Sequence, residues 1–268
     1  MKTIRKQVTR WQDGVRRRGS DELAVEEPLE IRIDSRPVVV TMRTPGHDDE
    51  LAAGWLFTEG VIQSGADLLA MRPNVRNRAG NSFDVFLSPQ AEANLSGLAR
   101  RGFANSSCGV CGKESIRAVH RRIKPLSARW KVHAALLAEL PDRLRAAQAA
   151  FDRTGGLHAA GLFTRTGELL VAREDIGRHN AVDKVIGHGL LAGWLPLDRH
   201  ILMVSGRASF EIMQKALAAR LSVVCAVSAP SSMAVDFARA SGQTLAGFLR
   251  ARRMNIYAGV SRVVCAPT

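Results

Sequence analysis

The sequence predicts an α/β protein: a three-layer α/β domain over residues 131–268, an N-terminal α+β subdomain over 25–130, and a polar, mobile lead-in over 1–24. Three observations carry this. Through the second half, apolar strands and amphipathic helices alternate with short connections, which implies parallel strands joined by right-handed crossovers. In the first half, period-two alternation at 27–41 and again at 82–88 marks strands. The chain has 268 residues, 46% hydrophobic and 24% charged, an ordinary globular composition that can bury a core without disulfides or metals. Collagen-like, disordered and disulfide-framed classes are excluded.

In chain order, Leu29, Ile31 and Ile33 share one side of a hairpin or a pair of short strands. Thr44-Pro45 and the acids Asp48, Asp49 and Glu50 then start a helix carrying Leu51, Trp55 and Leu56, with Gly60 where a C-cap belongs. The Gly/Ser-rich loop at 105–113 (NSSCGVCGK) leads into a helix with Ile116, Val119 and Ile123 on one face. An Ala/Leu helix covers about 132–150 and ends at Gly155-Gly156. LHAAGLF, the turn TRTG and ELLVARE form a second hairpin, followed by a helix at EDIGRHNAVDKVIG with Val182, Val185, Ile186 and Leu190 inward. Strand HILMVS, helix ASFEIMQKALAAR, strand LSVVCAVS, helix SSMAVDFARAS and strand TLAGFL complete the domain.

The formal charge is +13, and the 38 basic residues are 31 Arg and 7 Lys. Arg forks bind phosphate and carboxylate in bidentate fashion. The basic clusters are short (Arg16 to Arg18, Arg100-Arg101, Arg121-Arg122, Arg250 to Arg253), and only 5% of residues are aromatic. Neither a basic arm nor the stacking platforms of nucleic-acid binders can be assembled from them, so a polyanionic small molecule or an acidic partner is expected rather than nucleic acid. The N-terminus lacks the apolar core of a signal peptide, and no apolar run reaches the ~18–20 residues of a membrane span. A cytoplasmic location is expected.

In a parallel sheet, ligands bind where strands end and helices begin. Three such loops read EDIGRHN (174–180), SGRAS (205–209) and SAPSS (228–232), and a fourth, FLRARR (248–253), follows the last strand. Helix N-termini, hydroxyls and arginines together form an anion site, although a Ser at one N-cap alone is only a cap. The candidates are Asp175, Gly177, Arg178, His179, Asn180, Ser205, Arg207, Ser209, Phe248, Leu249, Arg250, Ala251, Arg252 and Arg253. Asp175 and Asp183 either neutralise Arg178 and Lys184 or accept N–H groups from a guanine, and spacing leaves both open.

Cys108 and Cys111 form the sharper signal. A thiol at a helix N-terminus beside Lys113 should ionise readily, and the thiolate is the nucleophile. The pair fits a redox dithiol, half of a zinc Cys₄ site pooled across a homodimer, or a sulfur carrier holding a persulfide. Cys225 sits in an apolar strand and Cys265 in the tail.

Six ordered segments, TPGHDDELAAGWLFTEGVI, NSSCGVCGKESI, GGLHAAGLF, EDIGRHNAVDKVIG, SGRASFEIMQKA and SAPSSMAVDFA, resemble the formate dehydrogenase accessory protein family, FdhD/NarQ, over nearly the whole chain after residue 25. The resemblance implies a cytidine-deaminase-like fold, a homodimer, and guanine nucleotide (GDP-like) at the sheet edge. It implies a sulfurtransferase that receives persulfide sulfur from a cysteine desulfurase. The sulfur then passes to the molybdenum or tungsten bis-molybdopterin guanine dinucleotide (Mo-bisMGD) cofactor that formate dehydrogenase requires. By this resemblance Cys108 is the persulfide carrier, Cys111 its companion, and Phe248 to Arg253 the cofactor-binding stretch. Relatives often carry Gly there, where this chain has Ala251 and extra arginines. The deaminase zinc signature is absent, since residue 107 is Ser rather than Pro and no His-X-Glu precedes it, so no metal ligands are assigned. A dimeric zinc-binding or guanine-nucleotide-binding scaffold without sulfur transfer is the alternative.

Overall fold

The computed structural model describes residues 2–75, 77, 79–92, 94, 124–127 and 130–265. The paired-cysteine loop 105–113, with Cys108 and Cys111, lies outside the described residues, as does the expected helix bearing Ile116, Val119 and Ile123.

The lead-in expected over 1–24 is instead a long antiparallel hairpin, β1 (Thr3–Gln12) and β2 (Val15–Ala24), paired from Thr3↔Ala24 to Gln12↔Val15. Most of its residues face water on both sides, so no apolar alternation betrays it. Its turn is Asp13-Gly14, with φ of 50° and 80°. Positive φ at both central residues matches the right-handed twist of a two-residue hairpin, and Asp-Gly supplies it at low cost.

The next four strands, β3 (Glu27–Ile33), β4 (Arg36–Arg43), β5 (Leu68–Pro73) and β6 (Ser82–Leu87), form a sheet of order β4-β3-β6-β5. Alternate residues Leu29, Ile31 and Ile33 of β3 and Phe83, Val85 and Leu87 of β6 turn to one face. They pack with Leu51, Ala52 and Leu56 of helix α1 (Asp48–Thr58). Three acids, Asp48, Asp49 and Glu50, occupy the first turn of α1, where they complement the helix dipole. Gly60 has φ of +76°, as its place behind the helix requires.

The larger sheet has six strands in the order β13-β12-β11-β10-β8-β9: β8 (His158–Thr164), β9 (Leu169–Asp175), β10 (His200–Val204), β11 (Val223–Ala226), β12 (Thr244–Arg250) and β13 (Arg253–Ala258). The parallel expectation holds for β10, β11 and β12, whereas β8 and β13 run antiparallel to their neighbours. The final strand β13 was not anticipated. A short parallel pair, β7 (Val132–His133) with β14 (Val263–Val264), lies beside it in sequence. The single Ala/Leu helix expected near 132–150 is two, α2 (Ala134–Ala146) and α3 (Ala149–Thr154).

Both faces of the large sheet are covered. Helices α4 (Arg178–Leu191), α5 (Phe210–Ala218) and α6 (Ser232–Ser241) enclose one apolar cluster with Leu162, Leu202, Val224 and Leu245. Leu137, Leu140 and Leu144 of α2 cover the other face, against Phe163, Met203, Cys225 and Leu249. The large sheet therefore has helices in both flanking layers. Because β9 is antiparallel to β8 and β8 to β10, strands β9, β10, β11 and β12 all end on one edge, where β8 begins.

Candidate anion-binding site at the sheet edge

The four loops singled out from the sequence meet at this edge and are bonded to one another. Ser205 fixes the start of β8 twice: its N–H donates to the Ala159 carbonyl at 2.9 Å, and its Oγ accepts from the Ala159 N–H at 2.8 Å. Gly206 then lies against His158, where an added Cβ would sit 3.1 Å from the ring Nδ1. The Ser231 N–H donates to the Ala208 carbonyl at 3.0 Å, and the Phe248 N–H donates to the Ser228 carbonyl at 3.1 Å. Ser231 caps α6 by accepting from the Ala234 N–H.

Within the first loop the side chains divide by role. Asp175 is fully buried and accepts four hydrogen bonds: from the Thr44 N–H (3.1 Å), the Gly177 N–H (2.8 Å), Asn180 Nδ2 (3.0 Å) and Lys184 Nζ (2.7 Å). Lys184 also donates to the Thr44 carbonyl, and Thr44 Oγ1 accepts from the Ile176 N–H. Asn180 donates to the Met42 carbonyl and accepts from Thr41 Oγ1. Asp175, Gly177 and Asn180 thus clamp the loop to the chain leaving β4. The ion pairing expected from sequence is exchanged: Lys184 pairs with Asp175, while Asp183 is buried against Lys215, at 2.8 Å, and Thr58. Both carboxylates are buried in these bonds and closed to a guanine, which corrects that option.

Arg178 and His179 are the residues of this loop that face the other three. His179 Nε2 is 3.1 Å from Ser209 Oγ and 3.4 Å from Glu211 Oε2. Hydrogen bonding to His179, helped by Ser209, holds the Glu211 carboxyl down at about 2 against its partial burial. Burial, together with the positive charges of Arg178, His179 and Arg207, pushes His158 below the usual imidazole range, with Asp175 opposing. Four basic side chains therefore share one neighbourhood. Among the described residues Arg178 Nε has no hydrogen-bond partner, an unsatisfied buried donor at this edge. His158, Gly206, Glu211 and Thr44 were missed as site residues. The strand start of His158 at the ligand-binding edge was the available signal for it.

The last loop is a tight turn. Arg250 pairs with Arg253 across it, and Ala251 and Arg252 have φ of 48° and 56°. The four residues Arg250 to Arg253 are exposed, and the Arg250 guanidinium lies 5.9 Å from the Phe248 ring centre. Leu249 departs from expectation. Its side chain is wholly buried in the apolar cluster under α2, because the ladder irregularity between Gly247 and Arg250, with Phe248 at φ of 53°, turns it to the face opposite Leu245, so only its backbone can meet a ligand.

The FdhD/NarQ family model matches residues 24–264, nearly all of the chain. The chain belongs to the FdhD/NarQ family. It is 50% identical to the sulfur carrier protein FdhD of Streptomyces avermitilis, over 97% of this chain and 95% of that one. It is likewise 50% identical to the sulfur carrier protein FdhD of Mycobacterium tuberculosis, over 91% and 92% respectively. In fold it resembles a crystal structure from Desulfotalea psychrophila, described as that of a formate dehydrogenase accessory protein. The TM-score is 0.78, with 22% identity, 98% coverage of this chain and 99% of that one.

Proposed function

We propose that this member of the FdhD/NarQ family is a cytoplasmic, homodimeric sulfurtransferase serving formate dehydrogenase. Cys108 thiolate attacks the outer sulfur of a cysteine desulfurase persulfide. The sulfur–sulfur bond of the donor breaks, the desulfurase thiolate leaves, and Cys108 holds the persulfide. The outer sulfur then passes to the metal of the substrate, the molybdenum or tungsten bis-molybdopterin guanine dinucleotide cofactor: the sulfur–sulfur bond at Cys108 breaks, Cys108 leaves as the thiolate, and the reduced metal of that substrate supplies the two electrons that bring the sulfur to the sulfide level. Cys111, three residues on in the sequence, tunes Cys108 or resolves its persulfide as a disulfide.

The observation that carries this reading is the positive wall at the sheet edge. A cofactor with two dinucleotide arms presents several phosphates, and the edge offers the guanidinium groups of Arg178 and Arg207 beside the imidazoles of His158 and His179, with exposed Arg250, Arg252 and Arg253 on the loop bonded through Phe248 to Ser228. Arg178 Nε is a buried donor with no partner among the described residues, and the lack of a Cβ at Gly206 lets the His158 ring pack against the loop that carries Arg207. Charge-assisted bonds to phosphate are about twice as strong as neutral ones, which suits such donors. Guanosine diphosphate fits the same chemistry with fewer phosphates.

The test is mass spectrometry of the Cys108 peptide after incubation with desulfurase and cysteine. A gain of one sulfur atom, removed by reductant and absent in Cys108→Ala, is expected. A Cys108→Ala protein that still matures formate dehydrogenase would overturn the reading.

A further inference from the structure

The β1–β2 hairpin has no part in the positive wall, lies, all but its last residue Ala24, before the segment 24–264 that the family model matches, and stands largely uncovered. Ten residues per strand give it a reach of about 33 Å. Its root is fixed. Glu22 accepts from Thr3 Oγ1 and pairs with Arg153 at 3.2 Å, and the Val25 N–H donates to the Lys2 carbonyl. Ala24 lies against Gly156.

That root adjoins the candidate site. Helix α3, on which β2 rests, donates the N–H groups of Ala150 and Phe151 to Glu174, the residue before Asp175. Gly156, beside Ala24, is two residues from His158. The hairpin therefore rises from the rim of the anion site.

Its composition is graded from root to tip. At the root, Arg5 and Lys6 balance Asp21 and Glu22, whereas the outer half carries Arg10, Arg16, Arg17 and Arg18 against Asp13 alone. Among the described residues, Arg16, Arg17 and Arg18 form no ion pair. Trp11, directly opposite Arg16, is 70% exposed, and Val15 beside the turn is 52% exposed. An isolated two-stranded ribbon is marginal in water, and exposed Trp flanked by Arg is the composition of interface anchors. The hairpin has a single aromatic side chain, so it lacks the series of stacking platforms that RNA requires. A second copy of a chain with formal charge +13 is a poor electrostatic match for this tip, whereas an acidic surface complements it.

We propose that the hairpin is a docking arm for the protein that takes up the sulfurated cofactor, formate dehydrogenase. Arg16, Arg17 and Arg18 meet an acidic surface, and Trp11 enters an apolar recess. The proposal rests on the sulfur-transfer reading above, and its position at the cofactor rim is what selects the dehydrogenase over the desulfurase.

The experiment uses the full chain, wild type and two variants, Trp11→Ala and the triple charge reversal R16E/R17E/R18E. Affinity for purified, unsulfurated cognate formate dehydrogenase is measured at low and high NaCl, alongside GDP binding, Cys108 persulfide loading by desulfurase, and binding of poly-uridylate RNA. Each variant is expected to lose about tenfold or more in dehydrogenase affinity, with wild-type binding weakened by salt and with GDP binding and persulfide loading unchanged. Dehydrogenase affinities within about twofold of wild type in both variants, or no dehydrogenase binding by a wild type that loads sulfur, overturn the arm. A loss confined to poly-uridylate binding overturns it in favour of RNA. Failure of the wild type to load sulfur at all overturns the sulfur-transfer reading instead.

Discussion

Gly54 of α1 and Gly187 of α4 face each other where the two helices cross. A Cβ on Gly54 would lie 1.9 Å from the Asp183 carbonyl oxygen, and one on Gly187 would lie 1.9 Å from the Glu50 carbonyl oxygen. The backbones are thus in direct contact, and this crossing fixes the N-terminal sheet against the large one. Gly54→Ala must part the two helices, since the obstacle is main chain rather than a flexible side chain. A loss of about 3 kcal/mol or more is expected, at or beyond the upper end for overpacking. Chemical denaturation would show it as a lower midpoint with an unchanged slope.

The Asp175–Lys184 pair is wholly buried and ties the 175–180 loop to Thr44. Removing one charge strands the other, so Lys184→Met should cost about 3–5 kcal/mol. Asp175→Asn combined with Lys184→Met should recover part of that loss. A double-mutant cycle by urea unfolding measures the coupling, and additive losses would refute it. GDP affinity should fall in Lys184→Met at temperatures where the protein stays folded, because the loop that carries Arg178 is released.

Glu211 has a pH signature. Its carboxyl is held at about 2 in the folded protein, below the ordinary carboxylate range, so the folded state binds its proton less readily than the unfolded state. The stabilisation is present above about pH 4.5 and is lost as pH falls toward 2, with a magnitude of order 1–3 kcal/mol. Wild type and Glu211→Gln should therefore converge in stability between pH 4.5 and 2. Parallel stability curves across that window would contradict the His179–Glu211 contact.

Much of this was legible in the sequence, and the failures have physical causes. The four loops were found because strand–helix alternation locates ligand edges without any side-chain geometry. The β1–β2 hairpin was missed because both its faces meet solvent, although Asp13-Gly14 announced its turn. Helix spacing places Asp183 and Lys184 side by side, yet adjacent helical residues point apart, so each found its partner on another element. The burial of the Leu249 side chain was not legible because the stretch read as a ligand loop is also the irregular end of a strand covered on both faces, and an irregularity leaves no alternation to read.

Cys225 bears on how the proposed persulfide at Cys108 should be assayed. Burial among apolar side chains pushes its thiol up to about 12, and the strand position leaves it no route to solvent. It should resist iodoacetamide at pH 8 in the native protein and react only after unfolding, whereas exposed Cys265 should react at once. Native-state alkylation that spares Cys225 then makes persulfide detection at Cys108 free of interference from that thiol. Modification of Cys225 under native conditions would reveal openings of the large sheet.

The turn at Arg250 to Arg253 holds two non-glycine residues in left-handed backbone. Ala251 and Arg252 both adopt positive φ, the pattern of a type I′ hairpin turn, in which Ala has no side-chain group to offset the left-handed strain. Asn is favoured at the first of these positions because its amide bonds locally and tolerates that conformation. Ala251→Asn should therefore stabilise the fold by about 0.5–1 kcal/mol, a rise of roughly 1–3 °C in melting temperature for a chain of this size. Since residue 251 is exposed and the arginines beside it are kept, GDP affinity should not fall. A lower melting temperature would mean that the turn does not have the left-handed geometry on which the presentation of Arg250, Arg252 and Arg253 depends.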